Sequence, residues 1–221
     1  MNRPARDCEI LALSTRVQSM SRALLASVLC LVLSSTAPAF ARDAEPAPDN
    51  AAMTEIFNAD QAIRQGFTVG QKPDRAFVER MTAEDAARRL KVRALLEAGA
   101  LKTGEDFRKA AFVFQHGLRP DDFLMAHSLA IAAAARGSQQ AAWIAAASLD
   151  RYLQMTGGAQ IYGTQTTVRQ GEAPTLDPYN RDLIPDALRS ALGVPALAEQ
   201  QAKLESVQSA MKAARPGTPT P

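Results

Sequence analysis

The sequence predicts a mainly α-helical domain, an antiparallel, tetratricopeptide-like stack of helical hairpins with one short β-hairpin or extended loop near residues 160–176. Three observations predict it. Apolar residues recur at helical spacing through most of the chain after residue 50. Gly99, Gly117, Pro120, Gly137 and Gly157 punctuate those stretches. The connections left between the central helices are only a few residues long, which sets consecutive helices side by side and antiparallel. No repeat of fixed period accompanies the pattern, so it is not a solenoid.

The first helix is predicted over 51–66, with Met53, Ile56, Phe57 and Ile63 on one stripe. Asp60 and Arg64 stand four residues apart and are expected to pair along its surface. A second helix is expected from Thr82, where Thr82-Ala83-Glu84-Asp85 resembles a capping box, to Ala98, with Gly99 past its end. A third runs from Thr103, with Asp106 in the box position, to Gly117. Pro120-Asp121-Asp122 opens a fourth that Gly137 ends, with acids at the positive end of its dipole. Ser138 is expected to cap a fifth, over 139–156, closed by Gly157-Gly158. The alanines at 130, 132–135 and 145–147 permit close helix approach.

Past Gly158 the pattern changes. Residues 161–168 are rich in β-branched and aromatic types, Gln170-Gly171 can turn the chain, and 173–176 can return it. A short helix follows at 184–192. Pro195 opens a last one, whose Leu197, Leu204, Val207 and Met211 form one stripe expected to pack back on the bundle.

The N-terminus reads as a secretory signal peptide. Arg16 and Arg22 precede an uncharged apolar run over 23–33, and Ala39-Phe40-Ala41 completes a cleavage site. The run falls short of the roughly 20 apolar residues that span a bilayer. Cleavage after Ala41 is expected, giving a periplasmic or secreted protein with no stable membrane span. Met20 makes a more typical start than Met1. Residues 42–50 read as a flexible linker, 51–214 as one domain, and 215–221 as a disordered tail.

Both cysteines, Cys8 and Cys30, fall in the removed segment, which excludes disulfides and thiolate chemistry from the mature domain. The basic excess goes with it: of 25 basic and 23 acidic residues, Arg3, Arg6, Arg16, Arg22, Asp7 and Glu9 precede the cleavage point, leaving a neutral domain. Nothing in that balance calls for nucleic acid. His116 and His127 are the only histidines, too few with the scattered carboxylates for a zinc site, so no metal is expected. No G-x-S-x-G, Walker A, G-x-G-x-x-G after a strand or H-E-x-x-H occurs, and no cofactor is implied.

Several short elements together resemble an uncharacterised bacterial domain-of-unknown-function family, family 6624. They are Asp60-Gln61-x-x-Arg64, Ala110-Ala111-x-x-x-Gln115-His116-Gly117, Asp150-Arg151, Gln160-x-Tyr162-Gly163-Thr164-Gln165 and Asp186-x-x-Arg189-x-x-Leu192-Gly193-Val194-x-x-Leu197. The match spans roughly residues 53–205, and its specific part is the Gln-His element followed by Tyr-Gly-Thr-Gln. The resemblance implies a fold unit and a site, with no assigned activity. Members often carry an acid soon after the Gln-His pair. Here Gly117-Leu118 follow, so if that acid serves chemistry its role falls to Asp121 or Asp122, or is lost.

His116 and Asp150 are the candidate catalytic residues. His116 lies within an apolar face of the third helix, either as a core histidine bonded to a carbonyl or carboxylate, or as a proton-transfer group. Asp150 shares a face with Trp143, Ala146, Ala147 and Leu153, so it needs a partner: a structural donor, or His116 itself, oriented as in a triad. Gln115, Gln160, Tyr162, Thr164 and Gln165 are the candidate ligand-binding residues, the last three on an irregular segment of the kind that carries sites. Helices three and five should end at the same end of the stack, so the Gln115–His116 corner, Asp150 and the segment 162–165 are expected to converge. Two functions follow. One is a periplasmic or secreted binding module for a protein or small molecule. The other is a hydrolase-like enzyme in which His116 and Asp150 activate water.

Overall fold

A computed structural model describes residues 47–65, 73–169 and 171–214. The expected signal peptide, its cleavage point after Ala41 and the tail 215–221 lie outside the described residues. Seven helices are present among the described residues, in the order α1 (Ala51–Ala62), α2 (Arg75–Glu97), α3 (Gly104–Phe114), α4 (Pro120–Ala134), α5 (Ala141–Met155), α6 (Asp186–Ala191) and α7 (Leu197–Ala214). No strand occurs among them, and the fold is a mainly helical stack. None of these helices is long and apolar enough to cross a membrane.

The helix ends follow local chemistry. Thr103 and Asp106 form the expected box at the start of α3, each side chain bonding the other's backbone N–H. The fully buried Asp106 also accepts the N–H groups of Asn50, at 2.7 Å, and Lys102, at 2.9 Å. That contact fixes the last residues of the segment expected as a linker. Asn50 caps α1 through the N–H of Met53, and Asp49 bonds Lys109 Nζ at 2.8 Å and the Thr103 hydroxyl, so the chain is already tied to α3 before the first helix begins. Two other starts differ from expectation. α2 begins at Arg75, where the Asp74 carboxylate accepts the N–H of Phe77. Thr82 and Asp85 are interior to it, because the Asp85 carboxylate is taken by arginines. Ser138 does not cap α5; its hydroxyl donates to Glu105 at 2.9 Å, and Gln140 precedes the helix without a side-chain bond.

α4 packs against α3 on one side and α5 on the other, while α1 and α2 lie against α3. Buried Ala110, Ala111, Ala126, Ala130 and Ala147 let these helices approach closely, and Met53, Val92, Val113, Phe114 and Ile144 fill the core between them. Burying each of the larger side chains contributes about 1.5–3 kcal/mol.

Between α5 and α6 the described residues form an extended loop. Of the two expected alternatives, hairpin or extended loop, the loop is found, pinned by an antiparallel bridge, Thr167 to Thr175, and a parallel bridge, Gln160 to Tyr179. A side chain replaces the missing ladder. The fully buried Gln160 amide donates to the carbonyls of Gln165 and Leu176 and accepts the N–H of Gln165, tying both limbs of the loop to one group. α6 and α7 then close over this loop. Gln200 on α7 donates to the Tyr162 carbonyl at 2.7 Å, and Gln208 donates to that of Pro174 at 2.7 Å. α7 therefore docks on the loop more than on the helical stack.

Candidate functional site

Two polar clusters and a cleft occupy the region where the site was expected. The first cluster centres on Asp60, which is fully buried near the end of α1. Its carboxylate meets Arg64 at 3.1 Å, Arg88 Nε at 3.6 Å and His116 Nδ1 at 3.0 Å, and accepts the Gln61 amide. Arg64 and Arg88 also grip Asp85, at 2.6 and 2.7 Å. The expected surface pair of Asp60 and Arg64 is thus one edge of an interior network. Asp60 and Asp85 each face both Arg64 and Arg88, with Glu84 a further 3.3 Å contact of Arg88 on the outside, and these pairings are what permit burial of the two aspartates. Asp60 accepts the Nδ1 proton, an assignment that rests on this contact and leaves Nε2 of His116 without a hydrogen bond among the described residues.

The second cluster centres on Asp150, fully buried on α5. One carboxylate oxygen accepts the N–H groups of Ile161 and Tyr162, at 2.8 and 3.0 Å. The other accepts the N–H and hydroxyl of Thr164, at 3.0 and 2.8 Å. The alternative role, holding His116, does not occur: the histidine is held by Asp60 and Asp150 is consumed by the loop. Arg189, fully buried, reinforces the same turn from α6 by donating to the Tyr162 carbonyl at 2.6 Å and to those of Ile161 and Arg181. Gly163 sits at the crown with φ +74°, and a Cβ there would fall 2.2 Å from Gln200 Oε1 and 2.6 Å from the Tyr179 hydroxyl. Only glycine fits both the backbone and the space. Burial first, then the charge of Asp150, raises the pKa of the Tyr162 phenol above its ordinary value.

Of the remaining candidates, Gln160 and Thr164 are spent on holding the loop, and Gln165 donates to the Ala147 carbonyl and the Thr164 hydroxyl. Gln115 ends α3, nearly buried, its amide without a hydrogen bond among the described residues. The acid near the Gln-His pair is Asp122, which accepts the N–H groups of Leu118 and Arg119 and meets Arg89 at 3.7 Å, a capping role; Asp121 is exposed. Among the described residues no three histidine or acidic side chains stand together as metal donors.

Of the expected convergence, Asp150 meets the segment 161–164, while His116 joins the separate Asp60 cluster. Arg64, held by the Asp60 cluster, lies near enough to Arg151, the neighbour of Asp150, for its charge to act on it. Burial, with that like charge added, lowers the Arg151 pKa from its usual value. Arg151 lines a cleft of about 560 Å3 at the C-terminal end of α5, whose walls include Gln154, Gly158, Gln165, Thr167 and Arg169. The signal for it was present in the sequence as a second charged residue beside Asp150 on an otherwise apolar helix. Comparison with protein-family models, with curated proteins and with solved structures finds no match.

Proposed function

We propose that this chain is an exported binding module, periplasmic or secreted, that takes its ligand in the cleft between the end of α5 and the loop 157–178. One observation carries the reading: the loop is fixed to the helices by Asp150, Gln160 and Arg189, and the polar cleft beside it is left open. A rigid frame around a preformed cleft of a few hundred Å3 is the usual form of a small-molecule site. Export rests on the order of basic, apolar and Ala-x-Ala segments before residue 42. The resemblance to an uncharacterised family adds no activity to this reading.

The test is a thermal-shift screen of the domain beginning at Arg42, followed by chemical-shift mapping of each stabilising compound. Ligands are expected to perturb Gln154, Gly158 and Thr167. Stabilisers that perturb none of them contradict the site. The hydrolase reading keeps one point of support, the Nε2 of His116, with Asp60 in place of Asp150 as its orienting carboxylate. Consumption of a ligand by the native protein and not by His116→Gln would favour it.

A further inference from the structure

We infer that the cleft beside α5 is an oxyanion site in which Arg151 binds the carboxylate or phosphate of a small organic ligand, an inference that rests on the binding reading above. Three guanidinium Nε atoms are buried without a hydrogen bond: those of Arg88, Arg151 and Arg189. Two of them still have an acid at hand. Arg88 lies 3.6 Å from Asp60, and Arg189 lies 3.5 Å from Asp186. Arg151 has none, and neither a hydrogen bond nor an ion pair reaches its guanidinium from the described residues.

The charge that acts on Arg151 is instead Arg64, of the same sign and already committed to Asp60 and Asp85. Arginine stays protonated in proteins, so the desolvated charge cannot be relieved by losing a proton. It lacks a counter-charge that the domain does not supply. The cleft repeats the same sign, with Arg169 on its wall and no carboxylate among the lining residues. Arg169 itself meets Glu172 at 3.6 Å, on its exposed side.

The rest of the cleft specifies the kind of oxyanion. The guanidinium fork matches the paired oxygens of a carboxylate or phosphate. Gln154 holds Thr167 by a long 3.5 Å contact, so its amide is free to turn to a ligand. A bare anion would leave most of the 560 Å3 empty. Phe123, Met155 and Pro178 line the remainder, an apolar wall suited to an aromatic or aliphatic body carrying the charge.

The experiment titrates the protein with phenyl phosphate, benzoate and neutral benzyl alcohol at constant ionic strength, following amide shifts by NMR and affinity by calorimetry. Phenyl phosphate or benzoate is expected to bind saturably at Gln154, Gly158 and Gln165, with the stronger of the two naming the oxyanion. Arg151→Met should weaken that binding about ten-fold or more, and Arg151→Lys, which keeps the charge without the fork, should weaken it less. If benzyl alcohol binds as well and Arg151→Met changes nothing, the oxyanion inference is overturned and the cleft reading stands. If no probe perturbs the cleft, both fall.

Discussion

His116 Nδ1 lies 3.0 Å from the Oδ2 of Asp60, a fully buried carboxylate 56 residues earlier in the chain. Asp60 also faces Arg64 and Arg88, so its removal would leave two guanidiniums short of a counter-charge. Breaking such a buried pair typically costs about 3–5 kcal/mol. Asp60→Asn is therefore expected to lose about 3 kcal/mol in urea unfolding. His116→Gln, which keeps a donor near Asp60, should lose about 1 kcal/mol. Equal losses for the two variants would contradict this ordering.

Asp150→Asn should act elsewhere. It weakens four hydrogen bonds that define the turn at 161–164, with an expected cost of about 3 kcal/mol given the strength of bonds to a buried charge. Hydrogen exchange should show faster opening of the Ile161, Tyr162 and Thr164 amides, with those of α3 and α4 little changed. His116→Gln should leave the three loop amides as they are. A rise in their exchange in that variant would mean the clusters act as one.

Gly163→Ala tests the seat of α7. The added Cβ meets Gln200 and Tyr179 well inside van der Waals contact and strains the positive φ. A loss of about 2–3 kcal/mol is expected, with α7 becoming the first site of limited proteolysis. Unchanged resistance there would refute the close approach.

Acid should destabilise the domain. Asp49, Asp85, Glu105 and Asp177 all have depressed pKa values. At Asp85 burial pushes upward, and hydrogen bonds from Arg64 and Arg88 outweigh it. At Asp49 the leading cause is the hydrogen bond from Lys109, at Glu105 that from Arg108, and at Asp177 that from Arg181. A depressed folded value gives stability that is present above the unfolded value, about 4, and is lost as pH falls through the folded one. Unfolding free energy should therefore fall below about pH 4. Asp85→Asn should narrow the difference between pH 7 and pH 3.5, and a parallel pH curve would contradict the assignment.

What the sequence revealed and what it concealed divide by distance along the chain. The Thr103–Asp106 box, Pro120 and the terminal glycines are local signals, and the helices they bound appear close to where they were expected. Asp60 and Arg64 show the limit. Four residues apart, they have the spacing of a surface pair, and what draws them into an interior cluster is Arg88 from α2 and His116 from the turn after α3. Asp150 on an apolar face correctly announced a needed partner, and the structural alternative is the one found; which donors serve, three backbone N–H groups and the Thr164 hydroxyl, no side-chain pattern encodes. Arg189 and Gln200, which hold the same turn from α6 and α7, act on carbonyls and left no more trace.

On the oxyanion-site proposal, Arg151 is kept unpaired for a ligand and does no structural work. The most direct measurement is the melting temperature of Arg151→Met against the native domain in chloride buffer without added ligand. Arg151 is half-buried with its Nε desolvated and unpaired, so it adds no stabilising contact to the fold, and an apolar side chain of similar length removes the cost of that desolvation. The account predicts that Arg151→Met melts at least as high as the native protein, with a gain of about 3 °C for each 1 kcal/mol recovered. A melting temperature several degrees lower would show that Arg151 holds the structure together, and would contradict the claim.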